Sequence, residues 1–368
     1  SAQIDATGTA FETFLGWNYF TGAIIGFCIV LTYIFTGGFV AVVWSDLFQG
    51  IVMLLGLVLL PIVAYYAIEP SVPLTKELVA LDPSFLNIWG EGGFTTLNFF
   101  TILGYAAIGL GFMGSPQLFI RFMSIKDKKE IDKGKWVAVL FTLLTDAAAV
   151  TIGILARIYF TSEGQDPEAI LGNNGEDVLT MITESFLPTI LVAVFIAIVL
   201  SAIMSTIDSL LIIASSAITR DFYQKIFRPK IKDKDLTKMS RIATIIMAFS
   251  ALLIAIIMDY VSPNRQIFWV IIFGWSGIAA TFCPVVILSL FWKGYSEKGA
   301  IASMISGFIS VIVFNFVLKE MPNIGPYFVA LDVLAPSFVV AMILGVLVSK
   351  LYPPREEAVK MIKEIDTT

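Results

Sequence analysis

Nine stretches of this chain stay apolar for about as long as a helix needs to cross a bilayer, and nothing else limits the fold so strongly. A spanning helix takes about 20 apolar residues. Runs of that kind lie at roughly 18–37, 47–67, 97–120, 136–160, 187–216, 240–258, 267–292, 299–318 and 330–350. Each is apolar on every side rather than along one stripe. In hydrocarbon the backbone must satisfy its own hydrogen bonds, and a continuous helix does so. The composition agrees. Of 368 residues, 57% are hydrophobic and 14% charged, against about 45–50% and 25% in soluble domains. These runs predict an all-α, polytopic membrane protein. The opening "SAQIDATGTAFETFLGW" adds a partial span and reads as the continuation of an upstream segment.

The loops set an orientation. Residues 121–135 carry six Lys/Arg and residues 220–241 carry eight, whereas residues 161–184 hold six acids and no base. Loop 68–96 also leans acidic. Basic loops stay on the cytoplasmic side, so 121–135 and 220–241 are expected inside, and 68–96 and 161–186 outside. The C-terminal "YPPREEAVKMIKEIDTT" then falls inside, as in a multi-pass protein of the plasma or inner membrane. A basic loop also suits anionic lipid, but topology alone accounts for these two.

Several chemistries are excluded. The chain has no histidine, which removes imidazole metal sites and histidine-based catalysis. Cys28 and Cys283 lie inside apolar runs and read as buried, inert thiols rather than a disulfide. No nucleotide-binding loop or nucleic-acid reader is present, and no catalytic constellation suggests an enzyme.

Two patterns carry chemistry. The run "TILGYAAIGLGFMGSPQLFIRFM" (101–123) places Gly109, Gly111, Gly114 and Pro116 inside one span. Glycine and proline weaken a helix, and Pro116 lacks a backbone donor. Interrupted helices at mid-membrane offer free N–H and C=O groups to substrates and ions; a kinked, closely packed helix is the plainer alternative. In "LSAIMSTIDSLLIIASSAITRDFY" (200–223), Ala202, Ser205, Thr206 and Ser209 share one helical face, with Asp208 on its flank. Hydroxyls beside a carboxylate suit a hard cation such as Na⁺. Hydroxyls alone could simply bond their own helix's carbonyls. Asp46, in "TGGFVAVVWSDLFQG" (36–50), is a second carboxylate at membrane level; it fits either a helix N-cap or an ion site.

These two segments and "GLGFMGSPQLFIRFMS", together with "CPVVILSLFWKGYSEKGA" (283–300), resemble the sodium:solute symporter family, on its bacterial proline and pantothenate permease branch. The resemblance covers essentially the whole chain. It implies a LeuT-type fold of two inverted five-helix repeats, entered here within the third core helix and so lacking the first two. Residues 1–67 would complete the first repeat, 97–292 form the second, and 299–350 add C-terminal helices. It implies sodium at Ala202, Ser205 and Thr206, and a second cation or exit route at Asp46, Asp208 and Ser209. By the same resemblance, some relatives carry serine at the positions of Asp208 and Ser209, so the Asp208 carboxylate is a departure. Substrate contacts are implied at Ile108, Phe112, Ser115 and near Trp275. Ile108 replaces an aromatic residue of the proline branch, and Phe112 keeps a ring without a hydroxyl. The expected function is sodium-coupled symport of a small organic solute, amino acid or carboxylate-like. The alternative is a transporter-like solute sensor coupled to a signalling partner.

Overall fold

A computed structural model describes residues 1–68, 73–172, 175–262 and 265–355. Most of them are helical, and no strand occurs among the described residues. The helices are α1 (Ala2–Leu15), α2 (Tyr19–Ile68), α3 (Leu74–Leu81), α4 (Thr96–Ile108), α5 (Pro116–Met123), α6 (Lys128–Phe160) and α7 (Pro167–Ile170). They continue as α8 (Val178–Phe186), α9 (Thr189–Ser216), α10 (Asp233–Val261), α11 (Ile267–Phe291), α12 (Glu297–Val313), α13 (Gly325–Leu331) and α14 (Leu334–Leu351). A π-helical extension, Ala217–Phe227, prolongs α9, and another, Phe314–Leu318, prolongs α12.

Local chemistry sets the ends. Thr95, Asp127 and Ser296 accept the amide of the third following residue and so start α4, α6 and α12. Gly16 closes α1 in the left-handed conformation, at φ 63°. Gly38, at φ 57° and ψ −150°, kinks α2 into Tyr19–Phe35 and Gly38–Ile68, a backbone state that a Cβ would disfavour.

Eight helices are long and apolar enough to cross a membrane, and Tyr19–Phe35 is a shorter apolar helix. The span anticipated from residue 47 starts earlier, at Gly38. Asp46 therefore lies about two turns inside a helix, and the N-cap reading is set aside. Cys28 also departs from expectation. It is exposed on the apolar surface, whereas Cys283 is buried, and both thiols are free. The C-terminal tail beyond residue 355 lies outside the described residues.

The chain forms two compact units, each assembled from two segments. The first comprises Ser1–Pro83 and Lys126–Phe268. There α2 packs on α1, α6 and α9, and α9 also meets α1 and α10. Its core includes Phe27, Val30 and Ile34 of α2 against Ile207 and Leu211 of α9 and Leu252 of α10. Phe48, Ile51, Leu55 and Leu59 form an exposed apolar stripe on α2, as a lipid-facing side requires. The second unit comprises Ser84–Ile125 and the chain from Trp269 onward. There α12 and α14 meet through small residues. Ser303 donates to the Ala341 carbonyl at 2.9 Å, and a Cβ on Gly345 would lie 3.2 Å from the Ser303 side chain. Close backbone approach through small side chains is the usual glue between membrane helices.

Candidate functional site

In the first unit, α9 and both halves of α2 converge on Asp208. This carboxylate is fully buried. Its Oδ2 accepts the Tyr33 phenol at 2.9 Å and lies 3.2 Å from the Ser45 hydroxyl, which is also 3.1 Å from the Val42 carbonyl. The Ser209 hydroxyl lies 3.3 Å from Asp208 Oδ1, 3.4 Å from Asp46 Oδ2 and 3.0 Å from the Ser205 carbonyl. One hydroxyl hydrogen serves only one of these acceptors at a time. Ser209 thus links the two carboxylates without neutralising either. Gln49 lies beside the Tyr33 phenol, and its Oε1 is shielded from solvent with no hydrogen-bond partner.

Every atom in this group is a hard oxygen or a hydroxyl. Side chains touching Asp208 are neutral hydroxyls, which hold a carboxylate in place but leave its charge uncompensated. A fully buried carboxylate joined through one serine to a second, half-buried one favours a bound cation or a shared proton. The donor set and the orphaned Gln49 oxygen fit a hard monovalent ion.

One turn earlier on α9, Ser205 Oγ donates to the Ala202 carbonyl at 2.9 Å, and Thr206 Oγ1 lies 3.5 Å from the same oxygen. These are the back-bonds that serine and threonine form in membrane helices. A hydroxyl so engaged keeps its lone pairs for a cation. Asp46, Asp208 and Ser209 are brought together, with Ala202, Ser205 and Thr206 adjacent along the same helix.

The second unit contains the interrupted helix. After α4 ends at Ile108, Gly109–Met113 form a 3₁₀ turn, and α5 restarts at Pro116. Two side chains of α11 meet carbonyls at the break. Trp275 Nε1 donates to the Ile108 carbonyl at 3.1 Å, and the Cys283 thiol donates to that of Gly111 at 3.2 Å. The Trp275 ring also lies against Phe112, with centroids 4.9 Å apart. Gly111 and Gly114 permit this approach: a Cβ on Gly114 would lie 2.6 Å from Cys283 Cα, and one on Gly111 would strike the indole. Ser115 is 1% exposed, and its hydroxyl has no hydrogen-bond partner. Ile108, Phe112 and Trp275 therefore meet at the break, with Ser115 buried at its far end. Ile108 contributes its carbonyl rather than its side chain to the bond with Trp275.

Sequence reasoning missed several residues. Tyr33, Ser45 and Gln49 belong to the carboxylate group but carry no local signal. Another cluster was also overlooked. Asp5, fully buried, accepts Tyr19 OH at 2.6 Å and both Nε and Nη2 of Arg265, while Arg265 Nη1 reaches Asp259 at 2.9 Å. Burial alone would lower the Arg265 pKa, but its bonds to Asp5 and Asp259 outweigh that and raise it. Asp146, midway along α6, stands exposed and was likewise passed over.

A family model for sodium:solute symporters matches residues 1–307. The high-affinity proline transporter PutP of Bacillus subtilis (strain 168) is 33% identical over 351 residues, covering 92% of this chain and 70% of that protein. The osmoregulated proline transporter OpuE of the same organism is 31% identical, covering 95% and 67%. Sodium/proline symporter 2 of Staphylococcus saprophyticus is 34% identical, covering 93% and 64%. The chain thus spans about two thirds of the length of these relatives. A Na⁺-coupled sialic acid symporter, solved in a substrate-bound outward-open state, superposes with a TM-score of 0.63 at 17% identity, covering 95% of this chain and 72% of that one. That likeness shows the fold, the LeuT-type arrangement implied by the sequence. Its fold, its relatives and the family match over most of its length agree: the chain belongs to the sodium:solute symporter family, whose members are sodium-coupled transporters and not enzymes.

Proposed function

We propose that the protein imports a small amino-acid-like solute with sodium as the coupling ion, L-proline being the first candidate because of its relatives' names. The observation that carries this reading is the fully buried Asp208, which lies with Ser209 and Asp46 in one cluster of anionic and neutral oxygens. Ala202, Ser205 and Thr206 hold one sodium ion, and Asp46, Asp208 and Ser209 hold a second or line its inward route. The solute sits at the break, against Ile108, Phe112, Ser115 and Trp275. Ion and solute each stabilise the state that binds the other, so each tightens the other's binding. In this reading residues 1–67 belong to one inverted repeat and 97–292 to the other. The basic loops and the C-terminus face the cytoplasm.

The test is uptake into proteoliposomes. An inward sodium gradient should drive accumulation of radiolabelled L-proline or another solute from a panel of amino acids and small carboxylates. Equal uptake of every solute with and without sodium would overturn the reading.

A further inference from the structure

The first unit holds two fully buried carboxylates, Asp5 and Asp208, and each accepts a hydrogen bond from a tyrosine on the first half of α2. Tyr19 and Tyr33 lie about four turns apart on that helix and so share a face. The two settings match in one part and differ in another. At Asp5 the tyrosine works beside Arg265, whose guanidinium forks onto both carboxylate oxygens and lies 5.5 Å from the Tyr19 ring centre. At Asp208 the tyrosine works beside Ser45 and Ser209, which bring hydrogen bonds but no positive charge. The tyrosine fixes the carboxylate in both places; only one place supplies the counter-charge from the protein.

We propose that Tyr33 is a positioning residue for the second sodium ion: its phenol holds the Asp208 carboxylate toward Asp46, so that the ion takes the place Arg265 fills at Asp5. This rests on the reading of Asp46, Asp208 and Ser209 as a cation site. Tyr33 acts through Asp208. It brings the first half of α2 into a site otherwise built from the second half of α2 and from α9. Hydroxyl donors suit this task because they orient a carboxylate without discharging it, whereas an arginine or lysine would compete with the ion.

The test is equilibrium binding of ²²Na⁺ to the purified protein in detergent, without solute. Tyr33→Phe should raise the half-saturating sodium concentration roughly tenfold to a hundredfold, the scale of one hydrogen bond to a charged group. The same substitution in an Asp208→Asn background should add nothing, because Tyr33 then has no carboxylate to position. Tyr19→Phe should leave sodium binding unchanged, since Arg265 still neutralises Asp5. Unaltered binding in Tyr33→Phe, or an equal loss in both backgrounds, overturns the proposal. Wild-type sodium binding in Asp208→Asn brings down the cation site itself, a different failure. If Tyr33→Phe does not fold, Tyr33→Gln and Tyr33→Met pose the same question. The donor-bearing glutamine should bind sodium more tightly than methionine, and equal affinities overturn the proposal.

Discussion

Trp275 donates its indole N–H to the carbonyl of Ile108 at 3.1 Å while its ring rests on Phe112. One side chain of α11 thus satisfies a backbone group freed by the break and shapes the wall beside it. The bond and the ring contact can be separated by mutation. Trp275→Phe keeps an aromatic surface but strands the carbonyl, which costs about 1–3 kcal/mol where no water reaches it. The expected outcome is a weaker apparent affinity for L-proline, by roughly threefold to tenfold, with the sodium concentration for half-maximal uptake unchanged. Initial rates in proteoliposomes read both quantities. A shift in sodium activation instead would place Trp275 in the ion path.

Ser205 and Thr206 share the Ala202 carbonyl, and each still offers lone pairs. Ser205→Ala or Thr206→Ala removes one hard oxygen and leaves the helix intact. Half-maximal sodium activation should move up by roughly threefold to tenfold in each, the scale of one ion contact. Solute preference should stay as it was. Normal sodium activation in both variants would remove these residues from the site.

The Asp5–Arg265 pair makes a prediction about stability rather than transport. Arg265 is largely buried and holds both Asp5 and Asp259. Arg265→Met leaves the enclosed Asp5 carboxyl without its counter-charge, and breaking a buried pair from one side costs about 3–5 kcal/mol. A clear drop in melting temperature is expected in detergent. The pH sign follows from the raised pKa of Arg265. A group whose folded pKa is raised contributes stability below its unfolded pKa and loses it only as pH climbs through the folded one. Both values lie above the usable range, so Arg265 itself stays charged and its own titration adds no slope to the deficit between about pH 6 and pH 9. A deficit that closes steadily as pH rises across that window would contradict this account.

What could be read from the sequence was local. Gly109, Gly111, Gly114 and Pro116 each act on their own stretch of backbone, so the interruption of the fourth helix was visible before any tertiary contact. The hydroxyl face of α9 was visible for the same reason, through its spacing. Partners supplied from afar were not. Tyr33 lies 175 residues before Asp208, and in an apolar helix a tyrosine looks like any other large side chain. Ser45 needed the kink at Gly38 before it could face α9. Asp46 stood open between a helix N-cap and an ion site because the span was drawn from residue 47, although the helix already begins at Gly38. Asp5 lay in a stretch that registered only as a partial span, and its partner Arg265 comes 260 residues later.

Asp208 gives the sharpest test of the transport reading. It is buried, bound by three hydroxyls and linked to a second carboxylate through Ser209. Asp208→Asn keeps the shape and removes the charge, and the new amide N–H₂ faces hydroxyls already aimed as donors. Either the hydroxyls turn or a donor meets a donor. Asp208→Ser instead is smaller, restores an oxygen of the kind implied for relatives at this position, and leaves space for water. Asparagine should therefore be the more harmful of the two. At limiting sodium, Asn should cut sodium-driven L-proline uptake roughly tenfold and Ser roughly threefold, as expected for losing a charged ligand against replacing it with a neutral one. Saturating sodium should recover most of the serine variant's rate and less of the asparagine variant's. Sodium titrations of initial uptake rates decide it. If both variants follow the wild-type sodium curve, the Asp208 carboxylate takes no part in coupling.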